Sequence, residues 1–97
     1  MPVYITLLKY TDQGIRVVKE NKKYQEAAIK RVEKMGAKIL GAYMTMGEYD
    51  AVAICECPND EAAVAAALAG SSDGNVRSTT LRAFTPEEFE KIVSKLP

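Results

Sequence analysis

Two strand-like runs, Lys38 to Met46 and Tyr49 to Cys57, are separated only by Gly47 and Glu48. A link that short excludes a parallel pairing, which needs about a dozen or more connecting residues. The two runs are therefore expected to form an antiparallel hairpin. A glycine at the first turn position suits a type II′ turn, where φ is positive. In the first run Leu40, Ala42, Met44 and Met46 alternate with Ile39, Gly41, Tyr43 and Thr45. In the second, Tyr49, Ala51, Ala53, Cys55 and Cys57 alternate with Asp50, Val52, Ile54 and Glu56. Pro58 has no N–H to give to a ladder and ends the run.

The rest of the chain falls into place around this hairpin. Val3 to Tyr10 reads as a strand, with Val3, Ile5 and Leu7 opposite Tyr4, Thr6, Leu8 and Tyr10. Both of its faces carry apolar residues, so both are expected to be covered. Thr11-Asp12-Gln13-Gly14 has turn chemistry and reads as a loop. From about Arg16 to Met35 the composition is helical, and Tyr24, Ala28, Val32 and Met35 make one apolar stripe. Lys22, Lys23, Lys30, Arg31 and Lys34 mostly fall off that stripe and, interleaved with Glu26 and Glu33, read as a solvated face. Gly36 is placed to stop the helix in a left-handed conformation.

Asn59-Asp60-Glu61 supplies an N-cap and an acidic first turn for a second helix. Its alanines favour helix and keep it slim. Gly70 and Gly74 end it. Asn75 to Ala83 is the fourth strand, with Val76, Ser78, Thr80 and Arg82 opposite Arg77, Thr79, Leu81 and Ala83. Thr85-Pro86-Glu87-Glu88 starts a last helix with a capping box. Phe89, Ile92 and Val93, continued by Leu96, are expected to form its buried side. The order β-α-β-β-α-β plus a C-terminal helix predicts an α+β, ferredoxin-like fold: one four-stranded antiparallel sheet in one domain, residues 1–97.

Composition narrows the function classes. The 97 residues carry 13 basic and 13 acidic side chains and no histidine. Zero net charge argues against a nucleic-acid partner, which calls for a basic face. No stretch approaches the ~20 apolar residues that span a bilayer. Without histidine there is no Ser-His-Asp triad, no Cys-His dyad and no His-ligated metal. Cys55 and Cys57 share a strand face ~6.5–7 Å apart along the chain, too far for an unstrained disulfide. They read either as a redox or metal pair or as two small buried hydrophobes. No further cysteine completes a zinc site, so neither metal nor cofactor is expected. The start Met1-Pro2-Val3-Tyr4 has no secretory pattern, and reduced thiols fit a cytoplasmic location.

In a ferredoxin-like fold the two main helices cover one sheet face and leave the other bare. Here both strand faces are apolar, so a lone copy would expose a large patch. Sheet-to-sheet packing with a second copy resolves this, because two-fold symmetry makes the interface self-complementary. A homodimer, or a higher homo-oligomer, is expected.

At Gly47-Glu48-Tyr49-Asp50 the sequence resembles the GYD-domain family, small stand-alone proteins with Gly, Tyr and Asp at this hairpin. The resemblance runs from Tyr4 with Leu7-Leu8-Lys9-Tyr10-Thr11 and Asp12-Gln13-Gly14-Ile15-Arg16, through Gly41 to Ala53, to Gly74-Asn75-Val76 and on to Phe84. It implies a ferredoxin-like fold of the dimeric α+β barrel type and no particular activity. Thr45 to Asp50 with the apolar strand that follows is also similar to the effector-binding domain of leucine-responsive, feast/famine regulators. Those domains dimerise through their sheets and bind small effectors between subunits. The DNA-binding helix-turn-helix of those regulators is missing here.

The polar residues that interrupt apolar strands are the site candidates. Tyr4, Thr6, Tyr43 and Thr45 can line a cleft, with Tyr43 donating at an apolar wall or packing in an interface. Asp50 can act as a general base if buried or fix the turn by accepting backbone N–H groups. Gly47 supplies backbone geometry and Tyr49 packs. Arg77 and Arg82, on opposite faces of their strand, can pair an anion, Asp50 or a surface carboxylate. Asp12, Gln13, Gly14 and Arg16 either gate a pocket or connect two elements. Three functions follow: small-molecule binding at or near a subunit interface, a cofactor-independent isomerase or monooxygenase of the dimeric α+β barrel kind, or a structural interaction module.

Overall fold

Strand β1 (Val3–Tyr10) lies inside a four-stranded antiparallel sheet, between β3 (Ala51–Glu56) and β4 (Val76–Ala83), with β2 (Lys38–Met44) beyond β3. The computed structural model describes Met1–Pro97. The order β2-β3-β1-β4 puts the first and third strands in the centre, as the split-βαβ pattern requires. Helices α2 (Asn21–Lys34) and α3 (Asp60–Gly70) pack side by side on one face.

Register assigns the faces. Tyr4 lies opposite Cys55 and Arg82, and Thr6 opposite Ala53 and Thr80, so these side chains share the helix-covered face. The open face carries Val3, Ile5 and Leu7 of β1, Val52 and Ile54 of β3, and Leu81 of β4. Strand β2 departs from simple alternation. Its register with β3 shifts between Ile39 and Gly41, leaving Leu40 as an extra residue. The bulge puts Ile39 on the same face as Ala42 and Met44, against the parity read from the sequence.

The hairpin after β2 is antiparallel, as the short link demands. Ala51 pairs with Met44, the register that a two-residue turn implies. Regular strand nevertheless stops at Met44, and Thr45 to Asp50 form the tip. Thr45 N–H donates to Asp50 O (2.9 Å), its hydroxyl donates to Tyr49 O (2.6 Å), and Gly47 adopts φ +107°.

Thr11 to Glu20 is also more ordered than a loop. Helix α1 (Asp12–Arg16) is capped by the Thr11 hydroxyl, which accepts from Gly14 N–H at 3.1 Å. One 3-10 turn (Val18–Glu20) then leads into α2. The expected loop rested on Asp12 and Gly14 as turn formers. Here Thr11 and Asp12 instead act as a helix cap and an acidic first turn.

Helix α4 (Pro86–Val93) has the expected capping box: Thr85 and Glu88 bond each other's backbone N–H. Its apolar side is not buried, contrary to expectation. No residue of α4 is buried, and Phe89 is 56% exposed. The helix runs on from the end of β4 and leaves its stripe unpartnered.

Only eight residues are buried, among them Tyr4, Ala37, Cys55, Cys57, Ala63, Ala66 and Asn75. The molecule is a slab of 52 × 30 × 17 Å. A 10.6 kDa monomer is expected to expose about 5,500 Å²; this chain exposes 6766 Å², about 1,300 Å² more. Its radius of gyration is 14.7 Å, against about 12.5 Å for a compact domain of this length.

Candidate functional site

A cavity of about 170 Å³ lies between the helix-covered sheet face and the two helices. Small residues face each other there: Ala51 and Ala53 on the sheet, Ala28 on α2, Ala63 and Ala66 on α3. Tyr4 and Tyr10 of β1 reach the helix layer at Asp60 and Asn21, and between them the small residues leave a gap. Tyr4, Thr6, Leu8 and Tyr10 of β1 form its floor, and Tyr24 and Val32 of α2 its roof. Ala42 and Met44 on β2 line it too and are exposed, so the cavity opens at that edge.

Polar groups mark its two ends. At one end Tyr4 donates to Asp60 Oδ1 at 2.5 Å. That bond, helped by burial and by the Asp60 charge, pushes the Tyr4 phenol up to about 12. A phenol that holds its proton longer in the folded state favours folding fully below its ordinary value near 10 and loses that contribution as pH rises toward 12. Stability is therefore expected to fall between about pH 10 and 12. Urea melts of wild type and Tyr4→Phe across this window check it: the variant should show a shallower fall, and equal slopes would remove the assignment.

At the other end Asp50 Oδ2 accepts from Tyr10 N–H at 2.8 Å, and Asp50 N–H donates to Leu8 O at 2.8 Å. The carboxylate thus ties the hairpin tip to β1. Tyr10 donates its hydroxyl to Asn21 Oδ1 at 2.8 Å. Burial, with the Asp50 charge adding to it, pushes the Tyr10 phenol up. Cys55 and Cys57 are free, buried thiols. Burial and the neighbouring Cys57 push Cys55 up to about 11, so it is a neutral thiol and a poor nucleophile near pH 7. No three His, Cys, Asp or Glu side chains gather closely enough to hold a metal ion.

The candidates separate into two groups. Tyr4, Thr6 and Asp50 line the cavity, Tyr4 and Asp50 at opposite ends of it. Tyr43 sits at its rim on β2, 65% exposed and opposite Val52 on the open face. Thr45, Gly47 and Tyr49 belong to the hairpin tip, where Lys9 lies 5.2 Å from the Tyr49 ring and 3.8 Å from Glu48. Neither arginine of β4 reaches Asp50: Arg82 pairs with Glu88 (3.7 Å) and lies over the Phe84 ring (4.5 Å). Tyr10, Asn21 and Tyr24 were not singled out from the sequence. Tyr10 shares the parity of Tyr4 and Thr6, which would have found it.

A polar latch borders the cavity at Asp73 and Asn75. Gln13 Nε2 donates to Asp73 O (2.8 Å) and to Asn75 Oδ1 (2.9 Å). Arg31, read as a solvated cation, donates to Ala69 O (2.8 Å) and pairs with Asp73 (3.2 Å). It satisfies carbonyls at the C-terminal end of α3, where a cation is favoured.

The GYD-domain profile matches residues 4–93, nearly the whole chain. The chain belongs to the GYD-domain family. Within the GYD match lie both the cavity and the hairpin tip. A Thermus thermophilus protein named glutamine synthetase and cystathionine beta-lyase binding protein is 29% identical over 84 residues, covering 86% of this chain and 88% of its own. The crystal structure of TTHA0845, also from Thermus thermophilus, superposes with a TM-score of 0.61 at 21% identity, covering 88% of this GYD chain and 95% of that one. That likeness supports the ferredoxin-like fold. No helix is long and apolar enough to cross a membrane.

Proposed function

We propose that this GYD-domain protein is an interaction domain: two copies pair through the open sheet face, and the pair binds a partner enzyme. The observation that carries the pairing is the surplus of surface. The excess of about 1,300 Å² over a compact monomer exceeds the ~800 Å² per partner of a standard interface. The open face supplies a suitable patch, with Ile5, Leu7, Val52, Ile54 and Leu81 contiguous across three strands. Tyr43 belongs to this surface, and Thr45, Gly47 and Tyr49 form the tip at its border. A chain of zero net charge meets its own copy without strong repulsion.

The name of the Thermus relative supports the second half of the proposal, with glutamine synthetase and cystathionine β-lyase as the partners to test. Catalysis has less support. The Tyr4 and Cys55 protons are held more tightly than usual, away from the neutral range that suits a general base or nucleophile.

Light scattering after size exclusion should give about 21 kDa, twice the 10.6 kDa chain. Surface-immobilised protein should bind at least one of the two enzymes, purified from the same organism, saturably. A monomeric mass at tens of micromolar overturns the pairing, and no binding by either enzyme overturns the partner assignment. A small-molecule site is the second reading, favoured by the cavity, with Tyr4, Thr6 and Asp50 as its residues.

A further inference from the structure

The electrostatics of the cavity are one-sided. None of its 32 lining residues is lysine or arginine; Asp50 and Asp73 are the carboxylates that line it, and Asp60 lies behind Tyr4, whose hydroxyl donates to it. Asp73 is neutralised by Arg31 at 3.2 Å. Asp50 takes part in none of the four ion pairs. Its Oδ2 accepts from Tyr10 N–H, while Oδ1 has no partner and a carboxylate keeps further lone pairs free. Asp50, with no cation paired to it, thus borders a largely apolar hole, where charge interactions are less screened than in water.

Size sets a second limit. A volume near 170 Å³ is just above the ~150 Å³ apolar cavity that holds a benzene molecule, and below the ~300 Å³ that a drug-sized ligand needs. One ring or branched alkyl group fits. Tyrosine faces nearby also attract a cation, and the Tyr10 hydroxyl, already donating to Asn21, can accept from an ammonium.

We propose that this cavity binds small primary amines carrying one aromatic or branched apolar group, with the apolar group inside and the ammonium on Asp50. Self-association uses the opposite sheet face, so this inference stands or falls separately from the pairing.

Isothermal titration at pH 7.5 with three probes of one size tests it: phenethylamine, 2-phenylethanol and phenylacetate. The amine should bind at least tenfold tighter than the alcohol, and the acid more weakly than either. Asp50→Asn, which keeps an acceptor for Tyr10 N–H, should bring the amine down to the affinity of the alcohol and leave the alcohol unchanged. Ala53→Leu, which fills the hole, should remove binding of both. Equal affinity for amine and alcohol in the wild type overturns the proposal, whether or not the variants fold. So does phenylacetate binding as tightly as the amine, or amine binding that survives Ala53→Leu.

Discussion

Leu81→Lys should turn the protein into a monomer while leaving it folded. Leu81 is 46% exposed, faces the open side of β4, and lies opposite Ile5 of β1. A lysine there reaches water in the single chain and disturbs little. In a two-fold sheet-to-sheet pair every substitution enters twice, and two ammonium groups would lose hydration with no carboxylate between them. Removing a charge from water without a partner costs several kcal/mol, so association should weaken at least 100-fold, about 2.8 kcal/mol. At a protein concentration of about 50 μM, the mass by light scattering should fall from about 21 to 10.6 kDa. Val64→Lys on the outer side of α3, 59% exposed, is the control and should leave the mass unchanged. An intact dimer in Leu81→Lys would place the interface elsewhere.

Gly14→Ala is expected to be the most damaging single methyl in the chain. A Cβ at Gly14 would sit 2.0 Å from the carbonyl oxygen of Asn75 and 2.9 Å from its carbon. Both are backbone atoms, so no rotamer change relieves the clash. Helix α1 must move off the segment that leads into β4, which strains the bond from Thr11 N–H to Asn75 O (3.0 Å) and those from Gln13. Asn75 is buried, so its freed groups would go unsatisfied. Together these predict a loss of about 3–4 kcal/mol, a large part of the roughly 5–15 kcal/mol available to a chain this size. Gly47→Ala is the informative comparison. Nothing lies within 4 Å of a Cβ there, but φ is +107°. Only the conformational term of roughly 1–2 kcal/mol applies. Chemical denaturation of the two variants measures the difference, and a Gly14→Ala protein as stable as Gly47→Ala would disprove the close approach.

The architecture was readable because its signals are local. Gly36 adopts φ +89° after α2, Asn59 caps α3, and Thr85 with Glu88 closes a capping box. Each signal depends on a few consecutive residues, and the two-residue link set the hairpin register that Met44 and Ala51 keep. Reading broke down where distant segments decide. The extra residue at Leu40 leaves no mark in an apolar run. The stripe of Phe89, Ile92 and Val93 indicates an apolar face but cannot specify whether this chain or another covers it. Of the residues that line the cavity, Tyr4 and Thr6 stand out in the sequence as polar breaks in an apolar strand and Asp50 as the residue that follows the hairpin turn. The cavity itself was not, since it arises from alanines on separate elements failing to meet.

The bulge in β2 bears on what kind of assembly is open to the chain. A sheet with two clean edges can add strands end over end and grow into a fibre. Strand β2 is one edge here, and at Leu40 its ladder of donors and acceptors falls out of step. An incoming strand would match it on one side of Leu40 and miss on the other. Growth along the sheet is thus frustrated at one border, while contact across its face, which closes on itself after two copies, remains available.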